Sequence, residues 1–387
     1  MVTGVYRVAI VAGETSGDQL GAALIAALRE RCPGLSVRGV CGPLMRQAGC
    51  EAMADSGELA VMGLAEVLGH LPRLLRLRAR LRRELLAWRP HVYIGIDSPE
   101  FNLGLAAQLH AAGIKTVQYV SPQVWAWRQK RVHHIARCCD LVLCLLPFEP
   151  AFYAKHAVRA EFVGHPLADQ IPLDVDRGSA RRRLGLDAGG PVVALLPGSR
   201  EGEVTRLARP FLAAAGAIGE RLPDARFIAP IAAPALRAAF ELELHHAGSA
   251  QSRVRMLDGQ ARLALQAADA AVVASGTASL EALLCDCPMV VAYRLSPLTA
   301  WVARTLRMVQ LPYFSLPNLL AGEPLVPEFL QEQVSGPALA TAILAQLEDE
   351  PRRAMLRERF RAIHQSLRQG GAERAASAVL QLLGARA

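Results

Sequence analysis

Short β-branched runs alternate with longer Ala/Leu/Arg segments of helical spacing along most of this chain. Runs at about 5–12, 92–97, 114–120 and 141–146 predict strands, and helical spacing over 17–31 and 101–112 fills gaps between them. That alternation is the pattern of a parallel sheet covered by helices on both faces. The Pro/Asp-rich stretch from Pro166 to Asp176 interrupts it. The rhythm then restarts, with Val192–Leu196, Arg226–Ile231, Val254–Leu257, Ala271–Ala274 and Met289–Tyr293 as the next strands. The predicted fold class is α/β, two successive Rossmann-like domains covering 1–172 and 173–350. Ala338–Leu347 and Arg352–Leu383 read as helices throughout. The tail, 351–387, is expected to pack across the seam between domains or to be exchanged in a homodimer.

The segment from Val61 to Arg89 departs from this rhythm. Pro72 suits the first turn of a helix. Behind it Val67, Leu71, Leu74, Leu77, Leu81 and Leu85 keep near-helical spacing, while Arg73, Arg76, Arg78, Arg80, Arg82, Arg83 and Arg89 occupy much of the remainder. This is a basic amphipathic helix with two readings: a helix that covers its domain and leaves a solvated Arg face, or one that docks on a membrane. Val61, Met62, Leu64 and Leu68 widen the apolar surface beyond one stripe and favour the second. Leu71, Leu74, Leu77, Arg73 and Arg76 are then the expected membrane contacts. An arginine near an anionic bilayer is worth roughly 1 kcal/mol, so a handful suffices for reversible docking.

Composition adds bounds. With 387 residues, 52% of them hydrophobic, the chain exceeds one ordinary core and easily fills two. A net charge of +8 and a pI near 9.3 suit an acidic partner such as phosphate or an anionic membrane. No recognised motif or aromatic-basic stripe supports nucleic acid. Eight cysteines lack zinc-site spacing and read as reduced, buried small hydrophobes. The N-terminus runs almost directly into a strand, and no apolar run reaches the ~18 residues of a spanning helix. A cytoplasmic protein, neither exported nor integral, is the expectation.

Several turns carry chemistry. The first strand ends in Gly13-Glu14-Thr15-Ser16-Gly17-Asp18 and opens a helix, where glycines let a ligand approach backbone amides. Neither a dinucleotide fingerprint nor a P-loop is present, so hydride transfer and NTP hydrolysis lose their usual support. Gly13, Glu14 and Asp18 are candidates there, although the two carboxylates also suit a helix N-terminus. In Ile96-Asp97-Ser98-Pro99-Glu100-Phe101-Asn102 a buried strand gives out into the crevice where open α/β sheets bind ligands. Asp97 suits a general base there, or a cap for the following helix. The Pro-broken turn Ser121-Pro-Gln-Val-Trp125-Ala-Trp127-Arg128 holds two of the four tryptophans. Leu196-Pro197-Gly198-Ser199-Arg200 and Ala274-Ser275-Gly276-Thr277-Ala278-Ser279-Leu280-Glu281 are further strand-to-helix turns. Ser199, Arg200, Ser275, Gly276 and Thr277 suit the phosphates of a nucleoside diphosphate, and Glu281 its ribose hydroxyls. His165 reads as a satisfied core group. Asp174 and Asp176 suggest a helix N-cap rather than metal ligands, and no cluster has metal-ligand spacing. Neither a metal nor any other cofactor is expected.

Taken in order, residues 13–18, 96–102, 119–127, 162–166, 196–200, 274–281 and 316–320 closely resemble lipid-A-disaccharide synthase over almost the whole chain. The resemblance implies a glycosyltransferase-B type fold, two Rossmann-like domains facing across a cleft. It implies an inverting transfer from UDP-2,3-diacylglucosamine to 2,3-diacylglucosamine 1-phosphate, giving a β-1,6-linked disaccharide and UDP, at the inner membrane. It assigns the acceptor side to Glu14, Asp97 and the 121–127 loop, including Ser121 and Trp125. The nucleotide side falls to Ser199, Arg200, Glu281 and Asn318. Thr15 and Gln123 depart from the family's common Ala and Ser. A UDP-sugar epimerase and a non-catalytic nucleotide-binding membrane protein are the competing readings.

Overall fold

A computed structural model describes residues 6–59, 64–126, 129–186, 189–248, 253–296 and 312–384, with the backbone alone over 64–70. The chain divides into two compact units, one of 1–169 with 367–387 and one of 170–366. The first holds seven strands: β1 (Arg7–Ala12), β2 (Ser36–Cys41), β3 (Cys50–Asp55), β4 (Val92–Ile96), β5 (Lys115–Tyr119), β6 (Leu141–Cys144) and β7 (Ala160–Phe162). Their order is β3-β2-β1-β4-β5-β6-β7, and every pairing is parallel. The second holds β8 (Val192–Leu196), β9 (Arg226–Ile231), β10 (Val254–Asp258), β11 (Ala270–Ala274), β12 (Met289–Tyr293) and β13 (Glu328–Leu330). Its order is β10-β9-β8-β11-β12-β13, again parallel. In each sheet the strand order reverses beside the first strand, between β1 and β4 and between β8 and β11. Such a switch point opens a crevice at the carboxyl ends of the strands.

Strand alternation builds both faces of the first sheet. Val8, Ile10, Val92 and Ile94 point to one side, under the helices Thr15–Arg31 and Gly371–Leu382. Ala9, Val11 and Tyr93 point to the other, under Leu77, Leu81 and Leu85 of the helix Leu64–Trp88 and under Phe101, Leu105 and Leu109 of the helix Pro99–His110. In the second unit Val193, Leu195 and Val272 pack beneath Leu207, Phe211 and Ile218 of the helix Glu201–Arg221 and beneath Leu339 and Ile343 of the helix Gly336–Glu348. All eight cysteines are unpaired and buried.

Two expectations change. Leu77 is buried to 5%, with Leu81 and Leu85 fully so, and Leu74 packs half-buried against the same core, so neither Leu77 nor Leu74 is a free membrane contact. Leu71 is 43% exposed, and Leu75, which sequence spacing did not single out, is 45% exposed. Val61 and Met62, and the side chains of Leu64, Val67 and Leu68, lie outside the described residues. The predicted helix Arg352–Leu383 is two helices, Glu350–Leu367 and Gly371–Leu382, broken where Gly370 turns left-handed at φ 66°. Ala375, Ala376, Val379 and Leu380 are buried in the core of the first unit, where Asp169 accepts from the N–H groups of Gly370 (3.1 Å) and Gly371 (2.7 Å).

Candidate active site

At the first switch point Ala12 pairs with Ile96, so the turns after β1 and β4 emerge side by side. Gly13 is required by that closeness, since a Cβ there would lie 2.3 Å from Ser98 Oγ. Glu14 is exposed and begins the helix Thr15–Arg31 without a side-chain capping bond. Asp97 and Ser98 hold left-handed φ of 52° and 40°, and Val120, after the neighbouring β5, holds 71°. Three non-glycine residues in that region cost free energy, and such strain gathers at functional sites. Burial, aided by the negative charge of Glu14, pushes the Asp97 carboxyl up to about 6, against a smaller downward pull from Ser16. A carboxylate tuned toward neutrality at a crevice is equipped to take a proton.

Asn102 holds this turn, a role no sequence signal assigned. Fully buried, its Nδ2 donates to the carbonyls of Asp97 (2.8 Å) and Ile96 (3.1 Å), and its Oδ1 accepts from the Tyr93 hydroxyl at 2.9 Å. Gln118 adds a donor to the Asp97 carbonyl at 3.3 Å.

Three expected ligand residues are spent inside the fold. Asp18 is buried, and its oxygens accept from the N–H groups of Gly42 (2.8 Å), Leu44 (2.9 Å) and Met45 (3.1 Å), so it pins the start of the helix Pro43–Gln47. Ser121 Oγ lies 3.0 Å from the Tyr153 hydroxyl. Trp125 donates its indole N–H to Glu149 at 3.0 Å and stacks edge-on against Phe148. Glu149 is itself buried and also accepts from the Leu146 N–H, while desolvation pushes its carboxyl up to about 7. Ser121 and Trp125 thus shape the loop after β5 from within. Gln123 is exposed on that loop; Trp127 and Arg128 lie outside the described residues. His165 accepts from the Leu167 N–H at Nδ1, and burial pushes its imidazole down to about 4, in keeping with a core role.

In the second unit Leu196 pairs with Val273, which brings the turns after β8 and β11 together. Arg200 is 76% exposed and donates to Glu203 Oε1 at 2.9 Å, while Glu203 Oε2 accepts the Ser199 N–H at 3.0 Å. The Ser199 amide, expected to face phosphate, is therefore already bonded. Gly276 holds φ 135° with no atom within 4 Å of where a Cβ would stand, and Thr277 beside it is exposed. Ser275 Oγ donates to the Phe314 carbonyl at 3.0 Å. Glu281 meets Arg262 at 3.4 Å, a long contact that leaves its carboxylate able to accept further donors. Asn318 is a correction. It is buried and clamps Val326 through both N–H and C=O while donating to Glu328 at 2.9 Å, so its amide is used up in the fold.

Asp176 caps the helix Arg177–Arg183 through the Ser179 N–H, and Asp174 pairs with Arg361 at 2.7 Å. Among the described residues no group of three or more His, Cys, Asp or Glu stands together as a metal site, and no helix is long and apolar enough to cross a membrane.

The family model described as lipid-A-disaccharide synthetase matches residues 8–382. A protein of Alkalilimnicola ehrlichii named lipid-A-disaccharide synthase is 52% identical over 380 residues, 98% of this chain and 99% of its own. Among solved structures, sucrose-phosphate synthase from Thermosynechococcus elongatus aligns with a TM-score of 0.62 at 16% identity, over 98% of this chain and 99% of that one. UDP-GlcNAc 2-epimerase from Neisseria meningitidis, solved bound to UDP-GlcNAc, aligns at 0.58 and 11% identity, over 97% and 99%. At such identities these two structures speak for the two-Rossmann fold alone.

Proposed function

This chain belongs to the lipid-A-disaccharide synthase family, and from that premise we propose how its two units share the reaction. It is a glycosyltransferase that forms the lipid A disaccharide. The epimerase reading is not favoured, because the Neisseria meningitidis epimerase shares only the fold at 11% identity whereas a synthase is 52% identical over nearly the whole chain. The first unit takes the acylated glucosamine phosphate acceptor, and Asp97 removes the proton of its 6-hydroxyl as the oxygen attacks the anomeric carbon. The second unit takes UDP-diacylglucosamine. Arg200, the Ser199 hydroxyl and the open turn at Gly276-Thr277 meet the diphosphate, whose charge grows as the sugar leaves, and Glu281 meets the ribose. Groups that stabilise developing charge lower the barrier more than they tighten the ground state.

The observation that carries this reading is Asp97: a carboxyl held on a strained turn at a switch point, beside Glu14, with its proton affinity raised to about 6. Asp97→Asn keeps the shape and removes the acceptor of the proton. Turnover is expected to fall by roughly 10² to 10⁴, the range of general-base catalysis, with UDP affinity unchanged. A variant that folds normally and keeps most of its kcat would move the base to Glu14.

Acyl chains bring the substrates to a lipid surface. Leu71 and Leu75, exposed among Arg73, Arg76 and Arg80, form the contact we assign to the anionic inner membrane, reached from the cytoplasm. Arg73 also reaches Glu58 at 3.5 Å, an exposed pair weak enough to exchange for a phosphate headgroup.

A further inference from the structure

We propose that Glu203 is a positioning residue of the diphosphate cradle, fixing the turn after β8 and aiming Arg200; the inference rests on the nucleotide-site reading above. Arg200 is a long side chain, 76% exposed, and such a side chain left alone spreads over many rotamers. An exposed ion pair three residues apart on a helix does little to restrain it. Glu203 differs from an ordinary surface partner because it is itself pinned. Its side chain is only 13% exposed, and Oε2 takes the Ser199 N–H at 3.0 Å while Oε1 takes Arg200 Nη1 at 2.9 Å. One carboxylate therefore joins the backbone of the turn to the guanidinium that leaves it.

The turn is shaped to let this happen. Gly198 holds a left-handed φ of 126°, and a Cβ there would stand 2.5 Å from both Cβ and Oε2 of Glu203. Only a glycine lets the carboxylate lie against the loop. The consequence is a division of labour among adjacent groups. The Ser199 amide is committed to Glu203, and what remains for an incoming diphosphate is the Ser199 hydroxyl and the outward fork of Arg200. A capping role for Glu203 accounts for the amide bond, but not for the second oxygen being used to hold the cation expected to meet phosphate.

UDP affinity by calorimetry, KM for donor and for acceptor, and melting temperature separate the two roles in Glu203→Ala and Glu203→Gln. Positioning predicts that Glu203→Ala weakens UDP binding, raises donor KM about five- to twentyfold and lowers kcat as well, because a misaimed Arg200 meets the departing diphosphate less well, with acceptor KM unchanged. It predicts that Glu203→Gln, which keeps one acceptor oxygen, recovers much of the loss. UDP affinity within twofold of wild type in a Glu203→Ala protein of lowered melting temperature would reduce Glu203 to a cap and overturn the proposal. Tighter UDP binding in either variant would overturn it too, by making the carboxylate a competitor of phosphate. Arg200→Ala is the separate control: unchanged UDP affinity there would remove the cradle itself, whatever the Glu203 variants do.

Discussion

Asp97 is raised because its charge is unwelcome in two ways, half-buried and partly desolvated where β4 ends and close to Glu14. Two pH effects of opposite sense follow. As a base it must be ionised, so kcat/KM is expected to rise with pH through about 6 and then level off, and a flat profile from pH 5 to 8 would remove Asp97 as the base. For stability the sign reverses. The folded protein holds that proton more tightly than the unfolded chain, so the contribution is full below the ordinary 3.8 and lost as pH climbs through about 6. Asp97→Asn should therefore be more stable than wild type at pH 8, by on the order of 2 kcal/mol, with the difference fading below pH 4. The sequence made Asp97 visible, because a lone carboxylate at the end of an apolar run has few reasons to be there. It could not show which polar residues are already bonded. Asp18 and Asn318 are polar residues near helix starts that look equally available, yet each spends its side chain on groups brought near only by the folded chain.

The helix Leu64–Trp88 shows the same limit one level up. Its spacing puts Leu71, Leu74, Leu77, Leu81 and Leu85 on one stripe, but burial changes along the axis: Leu71 is 43% exposed, Leu77 is 5% exposed and Leu81 is fully buried. Period reports which residues share a face, not where along the helix the supporting sheet ends. Consequences of substitution should change at the same place. Leu77→Ser is expected to destabilise the first unit by about 3 kcal/mol, as for other large-to-small core changes. Leu71→Ser with Leu75→Ser should leave melting unchanged while reducing binding to anionic vesicles, measured by flotation. Vesicle binding that survives the double change would take the membrane contact away from this helix end. The edge strands escaped sequence reading for a related reason. β3 is Cys50-Glu51-Ala52-Met53-Ala54-Asp55, largely exposed and without the β-branched residues that marked the central strands.

Over the whole molecule, the two-sheet plan was legible because each parallel sheet needs the same repeating alternation, and the break at 166–176 separates two copies of it. The path of the tail was not legible. Amphipathic helices at the end of a chain show that a partner surface exists without showing which one. Here the first unit is discontinuous: 367–387 returns to it after the second unit has been built, and Val379 and Leu380 of its helix join the core with Leu24, Ile25 and Leu28. His165 donates its N–H to the Leu367 carbonyl at 2.9 Å, and Arg31 reaches Ser377 at 2.5 Å, so the crossing is fastened on both sides. The first core therefore lacks part of its cover until the last residues of the chain are in place. A chain ending at Ser366 is expected to lose amide-exchange protection through β1 and β2 and to lose transfer activity. Protection of β8 and β11 should persist, because the core on one face of their sheet is built from residues 193–347, all kept in that chain. Unchanged protection in β1 and β2 would mean that the terminal helix is an accessory and that the first unit closes without it.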